Sequence, residues 1–292
     1  MTFKAESFAP APPRVQALSR LRAVWPSLGA IELVFAVTVL ALCLGMALFP
    51  ALFTGLDPLM TDPLNRLKPP SATAIFGTDP LGRDLWTRTV YGAANSMKAT
   101  AIAVAIGLAC GTALGLVSGM IGGLIDSLVM RVVDVLLAIP GLLVSLMVIT
   151  ALGFGIVQVA IAVGVAAIAG FARVMRAEVL RIRNAPYVEA AIACGVTPFA
   201  IAIRTILPRA IGSVLMLAAV EFGTAILAVS ALSFLGFGAA PPAPEWGLLI
   251  ADGRNYIASA WWLTALPGLV IVAAVVSTNI LGRHLKAIVN KD

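Results

Sequence analysis

The chain has 292 residues, of which 60% are hydrophobic and 12% charged, with a mean hydropathy of +1.01. A soluble domain carries about twice that share of charge, so the composition excludes an ordinary soluble enzyme or binding module and predicts a polytopic helical membrane protein. The net charge of +6 and pI near 9.7 invite a nucleic-acid reading, but the basic residues fall in clusters between apolar runs, which is the pattern of membrane topology.

A hydrocarbon core of roughly 30 Å needs about 20 apolar residues in helix. Six windows are long enough: 33–53, 99–121, 132–152, 154–172, 210–237 and 257–281. Arg14, Arg20 and Arg22 precede the first. Its apolar run is too long for a signal-peptide core and no A-x-A site follows, so it reads as a retained helix. The segment 54–97 balances Arg66, Lys68, Arg83 and Arg88 against Asp57, Asp62, Asp79 and Asp84. Its run 77–84 reads as a turn-rich loop held by local Asp–Arg pairs.

The second window carries Gly107, Gly111, Gly115 and Gly119. A spacing of four puts them on one helix face, where a second backbone can approach closely. Pro140-Gly141 in the third window and Pro267-Gly268 in the sixth predict kinks, tolerated where neighbours or a cavity satisfy the freed backbone. Arg131 and Asp134, three apart, are placed for a local pair. Asp134 and Glu221 are the ionisable residues to examine for a translocation path, because intramembrane charge is costly and faces inward. For Glu221 a proton relay, a substrate contact and a buried hydrogen bond all stay open.

Between the fourth and fifth windows stands EAAIACGVTPFAIAIRTILP, residues 189–208. Thr197-Pro198 is a helix start, with Thr as N-cap and Pro at the first helical position, and Gly195 is a helix stop. Two short helices joined by a sharp turn are expected. Arg173, Arg176, Arg181, Arg183, Arg204 and Arg209 surround this stretch, Lys4 joins the N-terminal arginines, and Arg283, Lys286 and Lys291 follow the last window. The positive-inside rule then puts both termini and the 173–209 loop in the cytoplasm. Residues 238–256, with Glu245, Asp252 and a single Arg254, face outward.

Cys43, Cys110 and Cys194 are scattered and suggest neither a disulfide framework nor a metal cluster. No Gly is followed by Lys, so a phosphate-cradling GxxxxGK[ST] loop is absent. The single His284 cannot build a multi-histidine metal site. No nucleophile–base–acid constellation suggests an enzyme.

Glu189-Ala190-Ala191, three residues, Gly195, then Leu207-Pro208 resembles the EAA motif of permease subunits of ATP-binding-cassette (ABC) importers. Phe76-Gly77-Thr78-Asp79-Pro80-Leu81-Gly82-Arg83-Asp84 and Met130-Arg131-Val132-Val133-Asp134 narrow the resemblance to the dipeptide/oligopeptide/nickel permeases, as the second of the paired permeases. So do Leu232-Ser233-Phe234-Leu235-Gly236-Phe237-Gly238, Pro241-Pro242 and Glu245-Trp246-Gly247. Thr205 departs from the general EAA pattern, which has Ile there, and Ile75-Phe76 replaces a histidine often found before the Gly-Thr-Asp run.

The resemblance implies an all-α bundle of six spans with type I importer permease architecture, in a bacterial inner membrane. The expected layout is a cytoplasmic tail over 1–30, a first span over 31–53, an extracytoplasmic loop over 54–97, a permease core over 98–285 and a tail over 286–292. Within the core, 183–208 would couple to the ATPase through Tyr187, Glu189, Ala190, Ala191, Gly195, Leu207 and Pro208, with Tyr187 and Val188 as anchors in its groove. Implied partners, besides the lipid bilayer, are a homologous permease, one or two cytoplasmic ATPase subunits and an extracytoplasmic substrate-binding protein. This chain would hold no cofactor, ATP and magnesium belonging to the ATPases. Pro241 to Trp246 would shape an extracytoplasmic rim. The expected cargo is di- or oligopeptide, with nickel or a metal chelate as an alternative. An ion-coupled secondary transporter, a membrane enzyme and a structural scaffold are the rival classes, and none of them explains the EAA-like stretch.

Overall fold

The computed structural model describes residues 13–289, with side chains over 29–285. Every regular element in that range is helical: α1 (Pro13–Leu48), α2 (Leu85–Ile121), α3 (Gly123–Ala138), α4 (Gly141–Leu152), α5 (Ile156–Arg183), α6 (Pro186–Ala193), α7 (Pro198–Ile201), α8 (Leu207–Phe234), α9 (Trp246–Gly253) and α10 (Trp262–Val289). Five helices are long and apolar enough to span a membrane: Gly29–Leu48, Leu85–Ile121, Ile156–Arg183, Pro198–Phe234 and Trp262–Leu285. A sixth span requires α3 and α4 to be counted together, and they meet at 100°. The expected single span over 132–152 is therefore two helices. Pro140 stands at the break, where its ring and missing N–H cannot continue α3. At the other proline, α10 runs on through Pro267.

Other boundaries also move. α1 ends at Leu48 and a 3-10 turn, Pro50–Leu52, follows, so the first span stops short of residue 53. The segment 54–97 is not all loop, because α2 starts at Leu85, capped by Asp84, whose carboxylate accepts the Thr87 N–H at 2.7 Å. Of the expected tails, 1–30 and 286–292, the parts 1–12 and 290–292 lie outside the described residues, while 13–30 and 286–289 are helical and continuous with α1 and α10.

The core is organised around α2 against α5, the most extensive helix pair. Gly107, Gly111, Gly115 and Gly119 all face α5. A Cβ at Gly111 would stand 2.6 Å from the Ile168 carbonyl oxygen, and one at Gly115 2.4 Å from that of Ala172. Glycine is required there because backbone packs on backbone. Phe171, Met175 and Val179 of α5 fill the remaining core with Val214, Val229 and Leu232 of α8.

Candidate coupling surface and translocation cavity

At one end of the bundle the chain leaves α5, makes α6, turns, and re-enters as α7 and α8. The turn is a Schellman motif: Gly195 N–H bonds the Ile192 carbonyl at 2.9 Å and Val196 N–H that of Ala191 at 3.1 Å. Gly195 has φ of +79°, the left-handed region where a β-carbon is penalised. Thr197 caps the next helix, accepting the Ala200 N–H at 3.4 Å, with Pro198 at its first position.

That second helix is not a separate short element. It passes through a π-type turn, Ala202–Ile206, straight into α8. Pro208 supplies the reason: lacking an N–H, it cannot bond the Arg204 carbonyl, and the helix widens so that Leu207 N–H reaches Ala202 instead. The side chain of Arg209 takes up the Thr205 carbonyl at 2.8 Å.

Within the hairpin the side chains divide by direction. Val188 is buried in this chain's own core with Ile201 and Ile206, so it holds α6 in place and is not a free anchor. Tyr187 is exposed, with the Arg209 guanidinium 4.8 Å from its ring centre. Glu189, Ala190 and Gly195 face outward, Ala191 and Leu207 are half-buried, and Pro208 is exposed. Sequence reasoning missed Ile192, Val196 and Phe199, the last 77% exposed. In so apolar a chain their type carries no signal; only their exposure at the tip of a polar-flanked hairpin does.

Charged side chains tie the base of this hairpin to the bundle. Glu178 of α5 accepts from Ser213 of α8 at 2.7 Å. Arg183 donates to the Gly119 and Met120 carbonyls at the end of α2, 3.1 Å each. Arg176 grips Asp126 of α3 through two bonds of 2.5 Å. Asp134 pairs with Arg173 of α5 rather than with Arg131; the partner that fits is across the helix interface, 39 residues away in sequence.

Deeper in the bundle lies a cavity of about 580 Å³, walled by α2, α4, α5, α8 and the end of α3. Glu221 is its one ionisable lining residue, accompanied by Ser145, Thr224 and an apolar surface of Ala, Gly, Val and Leu. The α3–α4 break opens onto it through Leu137, Gly141 and Leu142. Broken helices occur at membrane depth where they line such a space. Asp134 is not in the lining, so the two charged candidates are not brought together.

Residues 111–291 match the family model of the binding-protein-dependent transport system inner membrane component. The chain belongs to that family. This permease is 37% identical to a dipeptide transport system permease protein, DppC, of Alkalihalophilus pseudofirmus, over 82% of this chain and 79% of the relative. It is 41% identical to a glutathione transport system permease protein, GsiD, of Shigella flexneri, over 74% and 72%. A di/tripeptide permease, DppC, of Pseudomonas aeruginosa is 34% identical over 79% and 76%. The fold is similar to a solved inward-facing structure of the MetNI methionine ABC transporter, with TM-score 0.57 and 19% identity, covering 68% of this chain and 95% of that one. The permease is thus a multi-span transport subunit of an inner-membrane ABC system, and the ion-coupled, enzymatic and scaffold readings give way to family membership.

At the opposite end of the permease the run 77–84 forms a knot. Asp79 accepts the Leu81 and Arg83 N–H groups at 2.8 and 3.0 Å and the Arg83 side chain at 2.6 Å. A Cβ at Gly82, φ +76°, would stand 1.8 Å from the Asp62 carbonyl oxygen. Pro241 and Pro242 form an exposed rim, but Glu245 and Trp246 are fully buried and do not belong to it. Glu245 takes a hydrogen bond from Ser96 at 2.9 Å and caps α9 through Leu248 N–H at 3.0 Å, while the Trp246 indole donates to the Thr89 carbonyl at 2.9 Å. The motif therefore pins α9 to α2. Burial pushes the Glu245 carboxyl above its ordinary range, against the pull of those hydrogen bonds. Burial likewise raises Asp252, outweighing the Arg88 guanidinium nearby.

Proposed function

We propose that this permease is one of two paired, homologous permeases of a peptide importer, fed by an extracytoplasmic substrate-binding protein and driven by one or two cytoplasmic ATPase subunits. The transport functions for which the relatives are named, dipeptide, di/tripeptide and glutathione transport, support a peptide cargo over a nickel or metal-chelate one. Both termini and the α6–α7 hairpin face the cytoplasm, and 77–84 and 241–242 face outward.

One observation carries the coupling assignment. Ile192, Val196 and Phe199 project from a hairpin whose own inner side is filled by Val188. An apolar tip on a short helix is suited to a groove in a partner. Since α6 is separated from α5 by only Asn184 and Ala185 and α7 runs into α8, movement of a docked tip reaches α5 and α8, two of the helices that wall the cavity. The four-glycine row is a fixed in-chain packing face on this reading, and Asp134 is a latch between α3 and α5. The cavity beside Glu221 is this permease's share of the cargo path.

Co-purification tests the docking claim. Phe199→Asp should insert into the membrane at normal abundance and lose most of the ATPase subunit from the purified complex. Full retention of the ATPase would remove the hairpin from the coupling role.

A further inference from the structure

Glu221 presents an unsolved requirement. Its carboxylate lies 14 residues into α8 (Leu207–Phe234), in the middle of a span, where a charge is costly unless something meets it. Among the described residues it has no hydrogen-bond or ion-pair partner, and the cavity wall supplies no cation, since no Arg, Lys or His lines it. A proton relay would need a second titratable group in the wall, and Glu221 is the only one there.

We propose that Glu221 is a binding residue for the primary ammonium group of the cargo, receiving the protonated amine terminus of a peptide as it crosses the cavity. The inference rests on the reading of this cavity as the cargo path. An ammonium fits the donor set: one carboxylate, with the Ser145 and Thr224 hydroxyls in the same wall as further acceptors. A divalent metal ion fits less well, because it takes several protein ligands and no group of three His, Cys, Asp or Glu side chains is assembled among the described residues.

The remainder of the wall sets what is not read. It is apolar, with small residues such as Ala103, Ala167 and Gly170 beside the larger Val104, Leu137 and Leu227 and no further charged group to select one particular side chain, and about 580 Å³ is the scale of sites for small organic ligands, roughly 300–1,000 Å³. The cavity thus recognises the charge that all free-amine peptides share and tolerates what distinguishes them. With no basic lining residue, the peptide's carboxylate end points away from the Glu221 wall.

The test uses the full transporter in proteoliposomes, loaded binding protein outside and ATP inside, with Ala-Ala as probe. Glu221→Gln and Glu221→Ala should lower uptake about tenfold or more, the loss expected for a hydrogen bond to a charged group, and Glu221→Asp should restore part of it. Ala228→Trp, which fills the cavity, should block uptake. Wild-type uptake in Glu221→Gln and Glu221→Ala alongside a block by Ala228→Trp would overturn the ammonium assignment and leave the cargo path standing. Normal uptake in Ala228→Trp would overturn both. A second measurement keeps Glu221 in place. In Thr224→Cys, a cationic methanethiosulfonate should react about tenfold faster than an anionic one, after correction for their rates with a free thiol, because a lone carboxylate concentrates cations in a low-dielectric cleft. Equal corrected rates would contradict the proposal even if the Glu221 variants failed to assemble.

Discussion

Gly115 of α2 and Gly170 of α5 are a matched pair for a residue-scale test. A Cβ at Gly115 meets the Ala172 carbonyl oxygen at 2.4 Å, whereas one at Gly170 meets nothing within 4 Å. Gly115→Ala should destabilise the purified permease by about 1–3 kcal/mol, the usual cost of overpacking, and Gly170→Ala should not. Thermal unfolding in detergent reads both, and equal behaviour would contradict the close α2–α5 contact. Glu245 gives a pH dependence with a definite sign. Its carboxyl is raised in the folded protein by burial, so the folded state binds its proton more tightly than the unfolded state does. Stability should then fall as pH climbs from the ordinary value of 4.5 through the raised one, and level off above it. Asp252 adds a fall of the same sign. Glu245→Gln, which can still cap Leu248 N–H and bond Ser96, should shrink the slope of Tm against pH, leaving the share due to Asp252. An unchanged slope would show that Glu245 is not the group responsible.

The α6–α7 hairpin shows at the scale of an element what local sequence can and cannot reveal. Gly195, Thr197 and Pro198 punctuate it because caps and stops depend on backbone geometry within a turn or two, and the structure places each in that role. The inward turn of Val188, the run of α7 into α8 and the choice of Arg173 by Asp134 depend on segments packed from elsewhere. The same holds for α3 and α4: Pro140 signals a break, but the 100° between the two helices is set by what each packs against. Two substitutions separate holding from docking. Val188→Ala should lower Tm, by about 1–2 kcal/mol of stability for the buried methyl groups removed. Gly195→Leu starts from open space, since a Cβ there meets no atom of this chain within 4 Å, and its left-handed backbone strain costs only about 1–2 kcal/mol. It should leave the permease in the membrane but weaken ATPase association and stop most uptake, while the control Ala200→Leu has a smaller effect. Normal coupling in Gly195→Leu would remove the turn from the mechanism.

At the scale of the whole molecule, the all-helical, multi-span character was legible because apolar length alone demands it. The cavity was not, since its wall draws residues from five helices far apart in sequence and only Glu221 among them stood out as costly. Orientation is open to direct labelling. Cysteines replacing Asp62 and Ala243 should react with an impermeant thiol reagent from outside, and one replacing Thr197, exposed on the hairpin, only from the cytoplasmic side. Labelling of the Thr197 site from outside would invert the map. Peptide import driven by ATP through the docked hairpin is most directly tested by uptake of a radiolabelled dipeptide into proteoliposomes holding this permease, its paired permease and the ATPase subunits. Accumulation is predicted only with ATP and loaded binding protein together, and it should be lost in Phe199→Asp. Accumulation driven by an imposed proton gradient without the ATPase, or undiminished in Phe199→Asp, would contradict the account.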